Sequence, residues 1–318
     1  MDNLVNVNVD LAPSEKLSEV ISTALGAWMA PWSMKRLAKA EAEAERIKAI
    51  ESAKTEALLT GDEERYQTLS SIGKRVIAKE IKRQKNIENV VEVANQTIAE
   101  ESKVSSDPVN PDWATRFFDI AQDISDEAMQ DLWGRILAGE VTRPNSYSMR
   151  TLEVLRNITR EEAQLFEKIA QYVLYGSSYY IYRFSDSTNE KSPIEYADIA
   201  RLIEIGLLQA GNTVSQNYYN PGGATSDVHL FYGFKYVAFI KITPEIKQLS
   251  FPIYSLSKAG EELYKLIQVN PDVEYFEKVL TKIKHKNQNC GIEYAEVVWF
   301  DSEKSQFEYK RNTMKEIL

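Results

Sequence analysis

Through the first third of the chain, apolar positions recur every three or four residues, the spacing of an amphipathic helix. Val20, Ile21, Ala24, Leu25, Trp28 and Met29 form the first such stripe. Pro31 breaks it beside Trp32, and the cations Lys35, Arg36 and Lys39 follow at once. An apolar face carrying tryptophan, flanked by cations, suits docking on protein or lying on a membrane surface. From residue 33 to 104 the stripe narrows to Ala38, Ala42, Ile47, Ala49, Ile50, Ala53, Ala57 and Leu58. A helix with so little to bury is marginal alone, so it requires a partner stripe. Thr60-Gly61-Asp62 punctuates the pattern, and Tyr66, Leu69, Ile72, Ile77, Ile81, Ile87, Val90, Val91, Ala94 and Ile98 resume it. The expectation is an antiparallel, coiled-coil-like helical hairpin forming a long arm.

Ser105 to Pro111 reads as a linker, because Pro108 and Pro111 stop helices on both sides. A denser pattern follows. Trp113, Phe117, Ile120, Ala121 and Ile124 share one helical face, and Met129, Leu132, Trp133, Ile136 and Leu137 share the next. Ser125 is placed to cap the second of these helices, and Gly139 to stop it. A third helix carries Leu152, Leu155 and Ile158. Thr159-Arg160-Glu161-Glu162 spells a capping box for a fourth, with Ala163, Phe166, Ile169 and Val173 on its apolar side. Short loops between these helices predict a compact bundle with Trp113 and Trp133 inside it.

After Tyr175 the pattern changes to aromatic and β-branched runs, at 178–184 and 230–242. Tyr196 to Leu208 reads as a helix ending in Gly206-Leu207-Leu208. The run Leu256-Ser257-Lys258-Ala259-Gly260-Glu261-Glu262-Leu263 follows a strand-like segment. Together these resemble the wing and final helix of winged-helix domains. The tail reads as helix 273–284, strand 292–300 and a further strand around 307–309. The expected fold class is mainly α, a long helical arm plus helical bundle, with a C-terminal α+β, winged-helix-like region. The expected segments are an amphipathic head and arm over 1–106, the bundle over 107–176, the winged-helix-like region over 177–268 and a small α/β tail over 269–318.

Composition narrows the chemistry. The 318 residues carry a net charge of −9, which opposes a general nucleic-acid binder with a basic footprint. One local exception is Lys74, Arg75, Lys79, Lys82, Arg83 and Lys85, opposed only by Glu80 within that stretch. It reads either as an anion-binding face or as a solvated helix face balanced by acids nearby, and the charges are spread around the helix as the second reading requires. The winged-helix-like region is near charge balance and its recognition position is acidic, so it too favours a protein partner over DNA. A single cysteine, Cys290, allows no internal disulfide and fits a reducing compartment. Two histidines, His229 and His285, leave no basis for a His-dependent triad or multi-His zinc site. The run from Asn220 to Ser226 is glycine-rich but lacks a phosphate-binding lysine and reads as a turn. Carboxylates are numerous but none are paired at a diagnostic spacing, so neither catalytic nor cofactor or metal ligands are assigned. No segment reaches the roughly 18 apolar residues of a membrane span.

The run Asp112-Trp113, Phe117, Ile124-Ser125-Asp126-Glu127-Ala128-Met129-Gln130, Leu132-Trp133, Ile136-Leu137-Ala138-Gly139-Glu140, Pro144, Tyr147-Ser148 and Arg150-Thr151-Leu152 resembles the bacterial domain-of-unknown-function 2806 family. Pro31-Trp32 and the run from Arg36 to Ala44 are also similar to that family, so the resemblance covers about 15–175 well and the remainder loosely. The resemblance implies a bacterial or prophage setting and carries no catalytic residue. Its polar positions Asp126, Glu127, Gln130, Glu140 and Arg150 serve either as caps and bundle pairs or as a site. The functional expectation is a non-enzymatic, self-associating cytoplasmic protein that binds a protein partner, in phage-related biology or defence. Leu25, Trp28, Met29, Trp32, Lys35 and Arg36 would mediate assembly. The alternatives are a peripheral membrane protein using 17–39 and a nucleic-acid-binding module using Lys74 to Lys85 and the wing.

Overall fold

The structure, a computed structural model, describes residues 45–99, 104–105, 107–184, 192–211, 214–220, 225–287, 290–301, 304 and 306–318. The chain divides between Leu152 and Glu153 into two compact units.

In the first unit, helix α1 is described over 45–59 and α2 spans Glu63–Ala99. The turn between them falls at the expected break. Gly61 adopts φ 70°, its N–H donates to the Leu58 carbonyl, and the Asp62 N–H donates to the Ala57 carbonyl. This pairing satisfies two carbonyls that the end of α1 would otherwise leave open. Asp62 then accepts from the Arg65 N–H to start α2. The two helices run antiparallel: Arg65 meets Glu56 at 3.7 Å and Lys54 Nζ lies 5.8 Å from the Tyr66 ring centroid.

The second half of α2 belongs to the bundle rather than to a free arm. Ile87, Val90, Ala94 and Ile98 are buried, and α2 packs along α4 (Glu127–Thr142). Contact is tight at Gly134, where a Cβ would lie 2.5 Å from the Val93 side chain and 2.9 Å from the Val90 carbonyl oxygen. Helix α3 (Pro111–Ala121) starts with Asn110, whose side chain accepts from the Asp112 and Trp113 N–H groups. Trp113 and Trp133 are 3% and 0% exposed, as their helical faces predict. Phe117 joins them, with ring centroids 5.1 and 5.2 Å away. The cap of α4 is Asp126, not Ser125. Helix α5 (Met149–Asn157) carries the division between the units.

The second unit departs from the mainly α expectation. Its framework is a nine-stranded sheet whose described pairings are all antiparallel. Helix α6 (Arg160–Ala170) has the predicted Thr159–Glu162 capping box. It ends before Val173, which opens strand β1 (Val173–Tyr175) instead of extending the helix. There follow β2 (Tyr179–Tyr182), α7 (Tyr196–Glu204), β3 (Ser215–Tyr219), β4 (Ser226–Tyr232), β5 (Tyr236–Ile242), β6 (Gln248–Ser255), α8 (Lys258–Tyr264), α9 (Val273–Lys286), β7 (Gly291–Asp301), β8 (Gln306–Tyr309) and β9 (Lys315–Glu316). The spatial order is β3-β6-β2-β1-β4-β5-β7-β8, with β9 on β7.

The apparent single run 230–242 is two strands. Gly233 and Phe234, at φ 54° and 51°, reverse the chain between β4 and β5. Positive φ at successive residues matches the twist of a hairpin, and the buried strands on either side hide the turn within an apolar run. One sheet face carries Tyr180, Leu230, Tyr232, Ile240, Phe251 and Ile292, which bury Phe276, Val279, Leu280 and Ile283 of α9 in one core.

The winged-helix-like reading is overturned by this sheet. The two segments that suggested it do meet: Ser257 Oγ donates to the Gly206 carbonyl and accepts from the Gly260 N–H. Gly260 is required because a Cβ there would lie 2.2 Å from the Leu207 carbonyl oxygen. Strand β6, however, lies between β3 and β2 inside the large sheet instead of forming a small wing. The strands of 291–316, expected as an appendage, pair into the same sheet through β5.

Candidate functional site

Three polar residues of the 112–152 motif, Asp126, Gln130 and Glu140, have structural partners. Asp126 accepts from the Met129 N–H at the start of α4, with Glu127 exposed in its first turn. Gln130 is buried in a network linking α2 and α4: its amide donates to Asn86 Oδ1 at 3.1 Å and to the Ile124 carbonyl at 2.9 Å, and it accepts from Asn89 at 3.0 Å. Glu140 is buried, and its two carboxylate oxygens accept from the Asn145 and Tyr147 N–H groups at 2.7 and 3.0 Å. It thereby holds a loop in which Asn145 has φ 69°. Arg150 is exposed on α5.

The basic stretch of α2 is divided. Arg83 is engaged, with Nε and Nη2 donating to the two Asp123 carboxylate oxygens at 2.7 and 3.0 Å and Nη1 reaching Glu80 at 3.3 Å. The Asp123 hydrogen bond is the main cause that raises the Arg83 pKa above its ordinary value. Lys74, Arg75, Lys79 and Lys82 are exposed. On the same helix Ile77 and Ile81, one turn apart, are 45% and 65% exposed. Leu58 and Leu59 are also exposed near the hairpin tip. Leu25, Trp28, Met29, Trp32, Lys35 and Arg36 lie outside the described residues.

A cleft that the sequence reading did not anticipate opens in the second unit. It encloses about 550 Å³ and is lined by Arg183, Phe184, Ser192, Ile194, Tyr196, Ile199, Ser215, Pro252, Tyr254 and Lys286. The sheet builds its floor. Arg183 follows β2 and donates its backbone N–H to the Pro252 carbonyl, while Pro252 pairs with Ser215 of β3. These three positions therefore form a row across neighbouring strands. The Arg183 guanidinium lies 5.9 Å from the Tyr254 ring centroid, a cation–π arrangement. The N-terminus of α7 and the C-terminal Lys286 of α9 supply the rim. No sequence signal marked this set, because its members come from five separate segments and none belongs to a spaced motif.

A family model described as a protein of unknown function (DUF2806) matches residues 71–280, more than half of the chain. The chain belongs to the DUF2806 family. The DUF2806 match starts within α2 and ends within α9, so it takes in most of the bundle and the greater part of the sheet. It starts well after residue 15 and continues far past residue 175, so its extent differs from that of the motif resemblance. All the cleft residues except Lys286 fall inside the DUF2806 match. No curated protein and no solved structure matches the chain. Among the described residues no helix is long and apolar enough to cross a membrane, and no group of three or more His, Cys, Asp or Glu could hold a metal ion.

Proposed function

We propose that this DUF2806 protein is a self-associating binding protein whose α1–α2 hairpin docks on a second copy of the chain. The observation that carries this reading is the exposed pair Ile77 and Ile81 on α2. Burying a side chain of this size stabilises an interface by roughly 1.5–3 kcal/mol. The exposed cations Lys74, Lys79 and Lys82 stand nearby on the same helix, giving the apolar pair a polar surround. Engagement of Arg83 by Asp123 weakens the competing nucleic-acid reading, since it withdraws one cation from the stretch.

Light scattering on the full chain at tens of micromolar tests the proposal. The expected result is a species of at least two chains, shifted toward monomer by Ile77→Lys together with Ile81→Lys. A monomeric wild-type protein, or an assembly indifferent to both substitutions, would overturn it.

A further inference from the structure

The cleft between α7 and the β3-β6-β2 end of the sheet combines features that converge on one ligand chemistry. We infer that it binds a small organic phosphate carrying a planar ring, a molecule of mononucleotide size. Its volume of about 550 Å³ lies within the usual range for small-molecule pockets. Among the described lining residues two are cationic, Arg183 and Lys286, and none is a carboxylate. Neither cation enters an ion pair with another described residue.

Arg183 is the stronger anchor. Its guanidinium presents a planar fork that suits phosphate oxygens, and the Tyr254 ring restrains it. The rim adds a second contribution. Glu195, the N-cap of α7, makes no side-chain hydrogen bond to the helix. The Asp198 N–H donates to the Glu195 carbonyl, so among the described residues only the Tyr196 and Ala197 N–H groups of this turn are left to solvent or to an anion, which the helix dipole also favours. Ser192 and Ser215 bring hydroxyl groups that can donate to phosphate oxygens.

The same cleft has an apolar side. Tyr196 is 65% exposed, unusual for a large aromatic, and stands with Tyr254, Phe184 and Ile194 around the cavity. An exposed ring at a cleft mouth offers a stacking surface for a planar group. Inorganic phosphate alone would leave these rings unused, and a bare ring would leave both cations unpaired. A molecule with both parts uses the whole lining.

Calorimetric titration of the full-length protein tests this directly, with AMP, GMP, CMP and UMP as probes and adenosine, ribose 5-phosphate and inorganic phosphate as controls. At least one nucleoside monophosphate should saturate a single site, with each control at least about tenfold weaker. Arg183→Gln should weaken binding by about tenfold or more, and Lys286→Gln, an exposed position that does not threaten folding, should weaken it measurably. Tyr196→Ala should weaken the nucleotide but not ribose 5-phosphate. Absence of saturation by all four nucleotides up to about millimolar concentration would overturn the inference, as would binding unchanged in both cation variants. Ribose 5-phosphate binding as tightly as the best nucleotide would overturn the ring component. These readouts are independent of assembly state, so they stand or fall separately from the hairpin proposal.

Discussion

Trp133 is fully enclosed, and its indole N–H has no acceptor among the described residues. Trp133→Ala should cost about 3–5 kcal/mol in chemical denaturation, from lost transfer energy and the cavity left behind. Trp133→Phe should cost less, because it keeps much of the ring contact and removes a buried unpaired donor. Tyr232 shows the opposite condition. Its hydroxyl donates to the Gln171 carbonyl at 2.6 Å and accepts from the Asp272 N–H at 3.1 Å, and burial pushes its pKa up to about 12. Tyr232→Phe orphans both backbone groups and should cost about 1–3 kcal/mol by the same measurement. His229 sits between the Phe239 and Phe307 rings, at 5.3 and 4.9 Å, and burial lowers its pKa despite the opposing pull of Asp227. The unfolded chain therefore binds a proton near the ordinary value of 6.5 while the folded chain resists it. Stability from this site is full above that value and falls as the pH drops below it. Melting temperatures between about pH 7.5 and 5.5 should fall less for His229→Gln than for wild type, and equal falls would remove His229 as a cause.

At the scale of elements, helix starts and stops were legible where a side chain forms the cap. Thr159 and Glu162 build the capping box that their spacing spells, and Gly61, at φ 70°, ends α1 in a left-handed turn that closes two of its carbonyls. The choice between Ser125 and Asp126 was not legible, since either residue can cap a helix. Gly134 carries no signal in the apolar pattern, yet it limits how closely α2 and α4 approach. Gly134→Ala would drive a Cβ into Val93 and toward the Val90 backbone, and because backbone cannot yield as a side-chain tip can, it should cost about 1–3 kcal/mol. A thermal melt unchanged by this substitution would mean that the two helices separate without penalty. The β7–β8 hairpin teaches a related point. Its register shifts between Val297 and Trp299, and Phe307 of β8 lies 5.1 Å from Phe231 of β4, although β5 and β7 intervene in the strand order. Such a shift bends the hairpin over the sheet face opposite α9, and nothing in a local apolar pattern specifies a bulge.

At the scale of the molecule, the second unit closes its own core. The buried cluster under α9 draws every member from residues between Leu174 and Ile317. A fragment covering 148–318 should therefore fold alone, with a cooperative melt and a strong near-ultraviolet circular dichroism signal from its packed aromatic rings. A fragment with neither signal would show that the sheet needs the first unit to form.

The amino-acid sequence by itself determined the helical hairpin, the burial of Trp113 and Trp133, the capping box and membership of the DUF2806 family. The first three rest on contacts or periodicities within a few dozen residues, and the family match on a pattern spread over residues 71–280. Tertiary structure alone decided the nine-stranded sheet, because strand pairing joins residues as distant as Val237 and Ala295 and carries no periodic signature of its own. It likewise decided the fate of the basic stretch, since only the packed chain brings Asp123 to Arg83. The cleft of Arg183, Tyr196, Tyr254 and Lys286 follows the same rule: each residue is ordinary in its own segment, and their shared chemistry exists only once the sheet and its two flanking helices bring them to one place.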